Sequence, residues 1–172
     1  MKRELTLADI AGYLPYGLKL LNRKRGMTTV WEWQSAACCD WNGEEKVEMI
    51  SGEKYSEELV MASPILRPMS DLFVKITERG YNDGKPFIPI FMMAKIKYPE
   101  FTRFTHCNSD SGTVFMSSPK SPAAWYEYDE EKLSIGEYDL VHRLHLDYRG
   151  LIPAGLAVSV HDLPTNPYEC EN

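Results

Sequence analysis

Hydrophobic and polar positions along the chain change their period about a third of the way through. Thr6 to Gly12 reads as a short helix, with Thr6 as N-cap, Asp9 in the first turn and Gly12 as its stop. Tyr13-Leu14-Pro15-Tyr16-Gly17 is a turn by its Pro and Gly. Leu18 to Leu21 is extended, and Asn22 to Gly26 is a polar loop of hairpin length. Met27 to Gln34 is rich in β-formers, with Trp31 and Trp33 placed to project from one face of a strand. After a turn at Asp40–Gly43, Lys46 to Ile50 alternates apolar and polar. Ser63 to Pro68 is extended, because each proline biases its predecessor away from helix.

Beyond that point the period becomes helical. The pattern predicts helices over Met69–Gly80, Ile88–Lys97 and Ile135–Arg149, with a turn at Asn82–Gly84. The last helix has the clearest signals. Ser134 and Glu137 form the Ser-x-x-Glu capping box, Leu140, Val141, Leu144 and Tyr148 recur at the helical period, and Gly150 stands where a left-handed cap belongs. Tyr98 to Trp125, with Pro99, Pro119, Pro122 and many serines, reads as a long irregular surface excursion. Leu156 to Val160 reads as a closing strand, and Pro164 to Asn172 as an exposed tail. The expected fold is thus α+β in a single domain, 1–172. A small twisted antiparallel sheet, with barrel-like closure as an option, occupies 13–67. The mainly helical part, 68–160, packs on it.

Three blocks sit at element boundaries and join Pro or Gly to large apolar residues. They are Leu14-Pro15-Tyr16-Gly17-Leu18-Lys19, Ile65-Leu66-Arg67-Pro68-Met69-Ser70-Asp71-Leu72, and Gly150-Leu151-Ile152-Pro153-Ala154-Gly155-Leu156-Ala157-Val158. In that order they resemble an uncharacterised family of small proteins encoded on prophages and mobile elements of Bacteroides-type gut bacteria. The resemblance implies a setting and no activity. Physically, each block turns the chain tightly while plugging a core.

Composition is that of an ordinary globular protein, 44% hydrophobic and 26% charged. No stretch reaches the roughly 20 apolar residues of a membrane span. No apolar segment follows the charged N-terminus, so Cys38, Cys39, Cys107 and Cys170 are expected as reduced thiols in the cytoplasm. The net charge of −6 is uneven: residues 1–26 carry +4 and the remainder −10. An acidic body disfavours broad nucleic-acid binding, which needs clustered Lys and Arg.

Chemistry has few footholds. His142 and His145 share a helix at a metal-ligand spacing. With about 100° per residue, His142 falls on the solvent side, His145 falls at the edge of the apolar stripe, and a third ligand is missing. His106-Cys107 with Asp110 lacks the context of an activated nucleophile, and Ser109, Ser111 and Gly112 mark a polar loop there. Cys38-Cys39 lacks the gap of a metal knuckle. Glu127, Asp129, Glu130 and Glu131 read as a solvated acidic face. The candidate binding residues are Lys19, Arg23, Lys24 and Arg25, the last three the only cationic triplet in the chain. These readings point to a non-enzymatic accessory or interaction protein without metal or cofactor, whose partner is a macromolecule, protein ahead of nucleic acid. A nucleic-acid-associated protein using the basic loop is the first alternative, and a Cys/His-dependent hydrolase the second.

Overall fold

A computed structural model describes residues 3–22, 29–32, 62–121 and 123–169. In chain order its strands are β1 (Lys19–Asn22), β2 (Thr29–Glu32), β3 (Ala62–Leu66), β4 (Arg103–Asn108), β5 (Thr113–Ser117), β6 (Ala124–Glu127) and β7 (Val158–Ser159). The α-helices are α1 (Leu7–Ile10), α2 (Pro89–Lys97) and α3 (Ile135–Arg143). The class is therefore α+β, as expected. Contacts divide the chain into two compact units, Met1–Arg67 with Arg149–Pro167, and Pro68–Tyr148 with Tyr168–Asn172. The expected turn at 40–43, the strand at 46–50, and Trp33 lie outside the described residues.

In the first unit Thr6 does start a helix. Its backbone N–H (3.0 Å) and its hydroxyl (2.8 Å) donate to the Asp9 carboxylate, which also meets Arg3. The helix does not stop at Gly12. It tightens into a 3₁₀ segment over Ala11–Tyr16, and Gly17, at φ 70°, makes the left-handed exit. The 3₁₀ pattern suits a stretch with Pro15, which has no N–H to donate. The sheet runs β2-β1-β3-β7, with β1 antiparallel to β2 and β3, and β7 parallel to β3. Among the described residues it does not close into a barrel. Pro64 lies in β3, a strand with neighbours on both sides. It is tolerated because β7 reaches only Ile65 and Leu66, so no ladder bond to β7 is asked of Pro64. The closing strand is accordingly shorter than 156–160. Val160 already begins a 3₁₀ turn capped by Ser159, whose hydroxyl accepts from His161 N–H at 3.2 Å. The boundary blocks plug the core of the unit each lies in: Leu18, Ile65, Leu66 and Leu151 here, and Leu72 in the second unit, are fully buried, and Gly17, Gly150 and Gly155 have positive φ.

The second unit departs most from the sequence pattern. Met69–Gly80 is not a helix. A 3₁₀ turn over Met69–Phe73 gives way at Val74 (φ −111°, ψ 165°), and Ile76 pairs with Phe87 through two 2.9 Å backbone bonds. The β-branched run of Val74, Ile76 and Thr77 favours this extended path. Leu72 and Ile76 are buried either way, which is why the apolar face alone misled. Asn82 and Asp83, both left-handed, turn the chain as expected. The helix expected over Ile88–Lys97 forms as α2 with Pro89 at its first position.

Tyr98–Trp125 is not an irregular excursion, and residues 68–160 are not mainly helical: β4, β5 and β6 form an antiparallel sheet in that order. Pro99 and Pro119 lie outside the strands, and Pro122 lies outside the described residues. Pro119 falls in the tight turn Ser118–Ser121, which two backbone bonds close. Val114, Met116 and Tyr126 of this sheet join Leu72, Ile90, Met93, Leu140, Val141 and Leu144 in one core.

α3 starts where expected but ends early, at Arg143 and not Arg149. His145, at φ 56°, is the left-handed residue of a Schellman motif. Its N–H donates to the His142 carbonyl (3.1 Å), and Leu146 N–H donates to the Val141 carbonyl (3.0 Å). Val141 and Leu146 are both fully buried in the same core, the hydrophobic contact that this motif uses. Tyr148 therefore lies beyond the helix and is half-buried. The tail is not uniformly exposed either. Tyr168 is buried, its ring stacks on His145 (centroids 3.8 Å apart, 14° between planes), and its carbonyl accepts from Arg79 N–H at 2.8 Å.

Candidate binding face

Of the expected binding residues, Lys19 lies on β1, half-buried and in register with Glu32. Arg23, Lys24 and Arg25 lie outside the described residues. The histidines are drawn into packing. His142 Nε2 is 3.0 Å from the Tyr148 hydroxyl, and its ring stacks on Tyr138. His145 is not at the edge of an apolar stripe but fully buried, because the left-handed turn carries it off the helix, with Nδ1 3.9 Å from Glu78 Oε1. Cys107 is a half-buried free thiol whose Sγ lies 3.6 Å from the Phe73 carbonyl. Asp110 sits in the β4–β5 turn, where its backbone N–H donates to Asn108 Oδ1 at 2.9 Å. His106, Cys107 and Asp110 thus all belong to the β4–β5 hairpin, and the His106 side chain lies outside the described residues. Among the described residues no group of three His, Cys, Asp or Glu side chains is placed to hold a metal.

The arrangement that stands out is the outer face of the β4-β5-β6 sheet. On β5, Val114 and Met116 are buried, while Thr113, Phe115 and Ser117 alternate with them on the opposite side. A bulge between Thr105 and Cys107 changes the parity of β4. Phe104 and Cys107, three residues apart, therefore both pack on the core, and Arg103 and Thr105 are left exposed. Thr105, Phe115 and Trp125 are register partners across all three strands. Trp125 is 61% exposed, and its ring meets Phe115 edge-on, with centroids 5.1 Å apart and planes at 70°. An aromatic pair thus lies on the outer face of the sheet, Trp125 exposed on the edge strand and Phe115 half-buried beside it.

The rim of this face is charged. Arg103 lies on β4, and Glu127 at the end of β6 is exposed. A 3₁₀ turn over Glu130–Lys132 follows, with Glu130 and Glu131 exposed. Asp129 caps that turn, its Oδ1 accepting from Glu131 N–H (3.1 Å) and its Oδ2 from Lys132 Nζ (2.5 Å), and the Lys132 bond foremost holds its carboxyl below the ordinary range. Asp129 is thereby matched by Lys132. Arg103 offsets one of Glu127, Glu130 and Glu131, so the rim stays acidic, and those three carboxylates all lie at its β6 end.

Beneath the face β6 is fastened to α3. The Tyr126 hydroxyl donates to Glu137 Oε1 (2.7 Å), while Ser134 donates to Oε2 from its N–H (2.8 Å) and its hydroxyl (2.6 Å). Burial alone would raise the Glu137 carboxyl; the bonds from Ser134 and Tyr126 outweigh it and hold the group below the ordinary carboxylate range. The anchor keeps this strand, and with it Trp125, on a rigid support. The sequence held one signal of the face, the alternation Thr113 to Ser117, masked by the surrounding Ser and Pro. Comparison with protein-family models, with curated proteins and with solved structures gives no match.

Proposed function

We propose that this protein is a non-enzymatic interaction module that binds another protein through the outer face of its β4-β5-β6 sheet. The observation that carries the reading is Trp125, a large aromatic side chain 61% exposed and held against Phe115 on a rigid strand. Rigid exposed aromatics supply contact area at little entropy cost, and Trp and Tyr are enriched among the residues that dominate interface energies. The acidic rim favours a partner that is apolar at its centre and basic at its edge, and it disfavours nucleic acid. The resemblance to small prophage and mobile-element proteins supports an accessory role, with the cytoplasm as its place. No helix among the described residues is long and apolar enough to cross a membrane.

The test is a photo-reactive amino acid at position 125 in living cells, with Val74, exposed elsewhere in the same unit, as the control position. A discrete protein adduct at 125 and none at 74 is expected. Trp125→Ser should then weaken binding of the protein so identified by at least about thirtyfold, the scale of an interface residue worth about 2 kcal/mol, and leave the melting temperature unchanged. Equal labelling at both positions, or no adduct at 125, overturns the reading.

A further inference from the structure

Hydrogen bonding along β6 shows which of its backbone groups face outward. Tyr128 N–H donates to the Gly112 carbonyl at 2.8 Å, and the register continues as Glu127 with Thr113, Tyr126 with Val114, and Trp125 with Phe115. In an antiparallel ladder, bonded and non-bonded pairs alternate. Tyr128 and Tyr126 therefore direct their N–H and C=O toward β5, whereas Glu127 and Trp125 direct theirs away from it. Among the described residues β6 has no strand on that outer side. The opposite edge strand, β4, carries the bulge between Thr105 and Cys107, a device that spoils pairing with another chain. β6 has no bulge.

We propose that the partner engages by strand addition: an extended segment of another protein, alternating apolar and cationic residues, pairs with the outer edge of β6. The proposal rests on the reading of this face as a protein-binding surface. The backbone N–H and C=O of Trp125 and Glu127 supply the new ladder, the Trp125–Phe115 pair receives an apolar side chain, and Glu127, Glu130 and Glu131 attract the cations. A second copy of this chain is a poor occupant, because edge-to-edge pairing would bring two acidic rims together.

The chemistry is tested with a short fluorescein-labelled peptide of alternating Val and Lys, read by anisotropy, with the Val/Glu analogue and an oligothymidylate as controls. Only the Val/Lys peptide is expected to bind. Two variants separate backbone from side chain. Glu127→Ala removes the charge alone. Glu127→Pro also removes an outward N–H, without touching any bond to β5, a place where an edge strand tolerates proline. The proline variant should bind at least about tenfold more weakly than the alanine variant, the cost of one lost backbone bond. As a readout independent of the folding of any variant, N-methylating alternate peptide amides should abolish binding in one set and spare it in the other. Equal affinities of the two variants, equal effects of both methylated sets, failure of the Val/Lys peptide to bind, or tighter binding of the oligothymidylate each overturn strand addition. The outcome at position 125 in cells stands separately, so strand addition can fail while the binding face survives.

Discussion

Tyr126 and Tyr128 stand two residues apart and point their hydroxyls into the same half of the molecule. The Tyr126 hydroxyl donates to Glu137, whereas that of Tyr128 is buried with no hydrogen-bond partner among the described residues. One mutation therefore has opposite consequences at the two sites. Tyr126→Phe leaves a buried carboxylate short of a donor and should cost about 1.5–3 kcal/mol in urea melts, the range for bonds to charged groups. Tyr128→Phe removes a desolvated hydroxyl that gains nothing in return, so it should be neutral or stabilising by about 1 kcal/mol. Similar losses in both variants would contradict this. At this scale the sequence disclosed only what is local. Ser134 and Glu137 are three residues apart and their capping box could be read directly. The third member, Tyr126, lies eleven positions before Glu137 and is joined to it only by the fold. His145 was hidden for another reason: a left-handed helix exit ordinarily advertises itself by Gly, and here a histidine takes the conformation.

At the level of elements, α2 and α3 meet at Gly136. A Cβ placed there would come within 2.9 Å of Ile96 Cγ2, so the absence of a side chain is what permits the approach. Gly→Ala inside a helix normally stabilises by about 1 kcal/mol. Gly136→Ala should forfeit that gain, because the clash falls on a stiff β-branched group close to its backbone. In an Ile96→Ala background the same change should recover it, and a double-mutant cycle of thermal melts measures the coupling. A full gain in the wild-type background would show that Ile96 gives way freely. The same comparison of local and tertiary forces explains which elements could be read in advance. α3 carries its own Ser134–Glu137 cap and α2 its Pro89 at the first helical position, and both could be read from neighbouring residues. Residues 69–80 carried a helical apolar pattern that the pairing of Ile76 with Phe87 overrode, and β4 was disguised by a bulge that breaks its alternation.

For the molecule as a whole, the candidate face was the least legible feature, because it depends on three strands coming into register. What the sequence offered in its place, the basic loop, is a statement about charge along the chain and not about a surface. Charge also governs the response of the second unit to alkali. Tyr81, Tyr126 and Tyr128 all lie in it and all have hydroxyls pushed above the ordinary tyrosine range. Burial is the main cause in each. The bond to Glu137 adds to it at Tyr126, and nearby carboxylates, Glu130 first, take Tyr128 up to about 12. A group raised in the folded state contributes stability that is complete below its unfolded value, about 10, and is lost as pH rises through the folded value. Stability should therefore be flat on this account up to about pH 10 and then fall, each such tyrosine contributing a slope of about 1.4 kcal/mol per pH unit. Growing negative charge on a chain already at −6 at pH 7 adds self-repulsion in the same window. That repulsion is common to the wild type and to Tyr128→Phe, so the difference between their urea midpoints from pH 9 to 12 isolates one tyrosine. The variant should show the shallower decline, by one proton's worth of slope, and absorbance at 295 nm should find tyrosines that ionise only as the unit unfolds. If all ten tyrosines titrated near pH 10 while the near-ultraviolet dichroism stayed native, the burial of these three hydroxyls would be refuted.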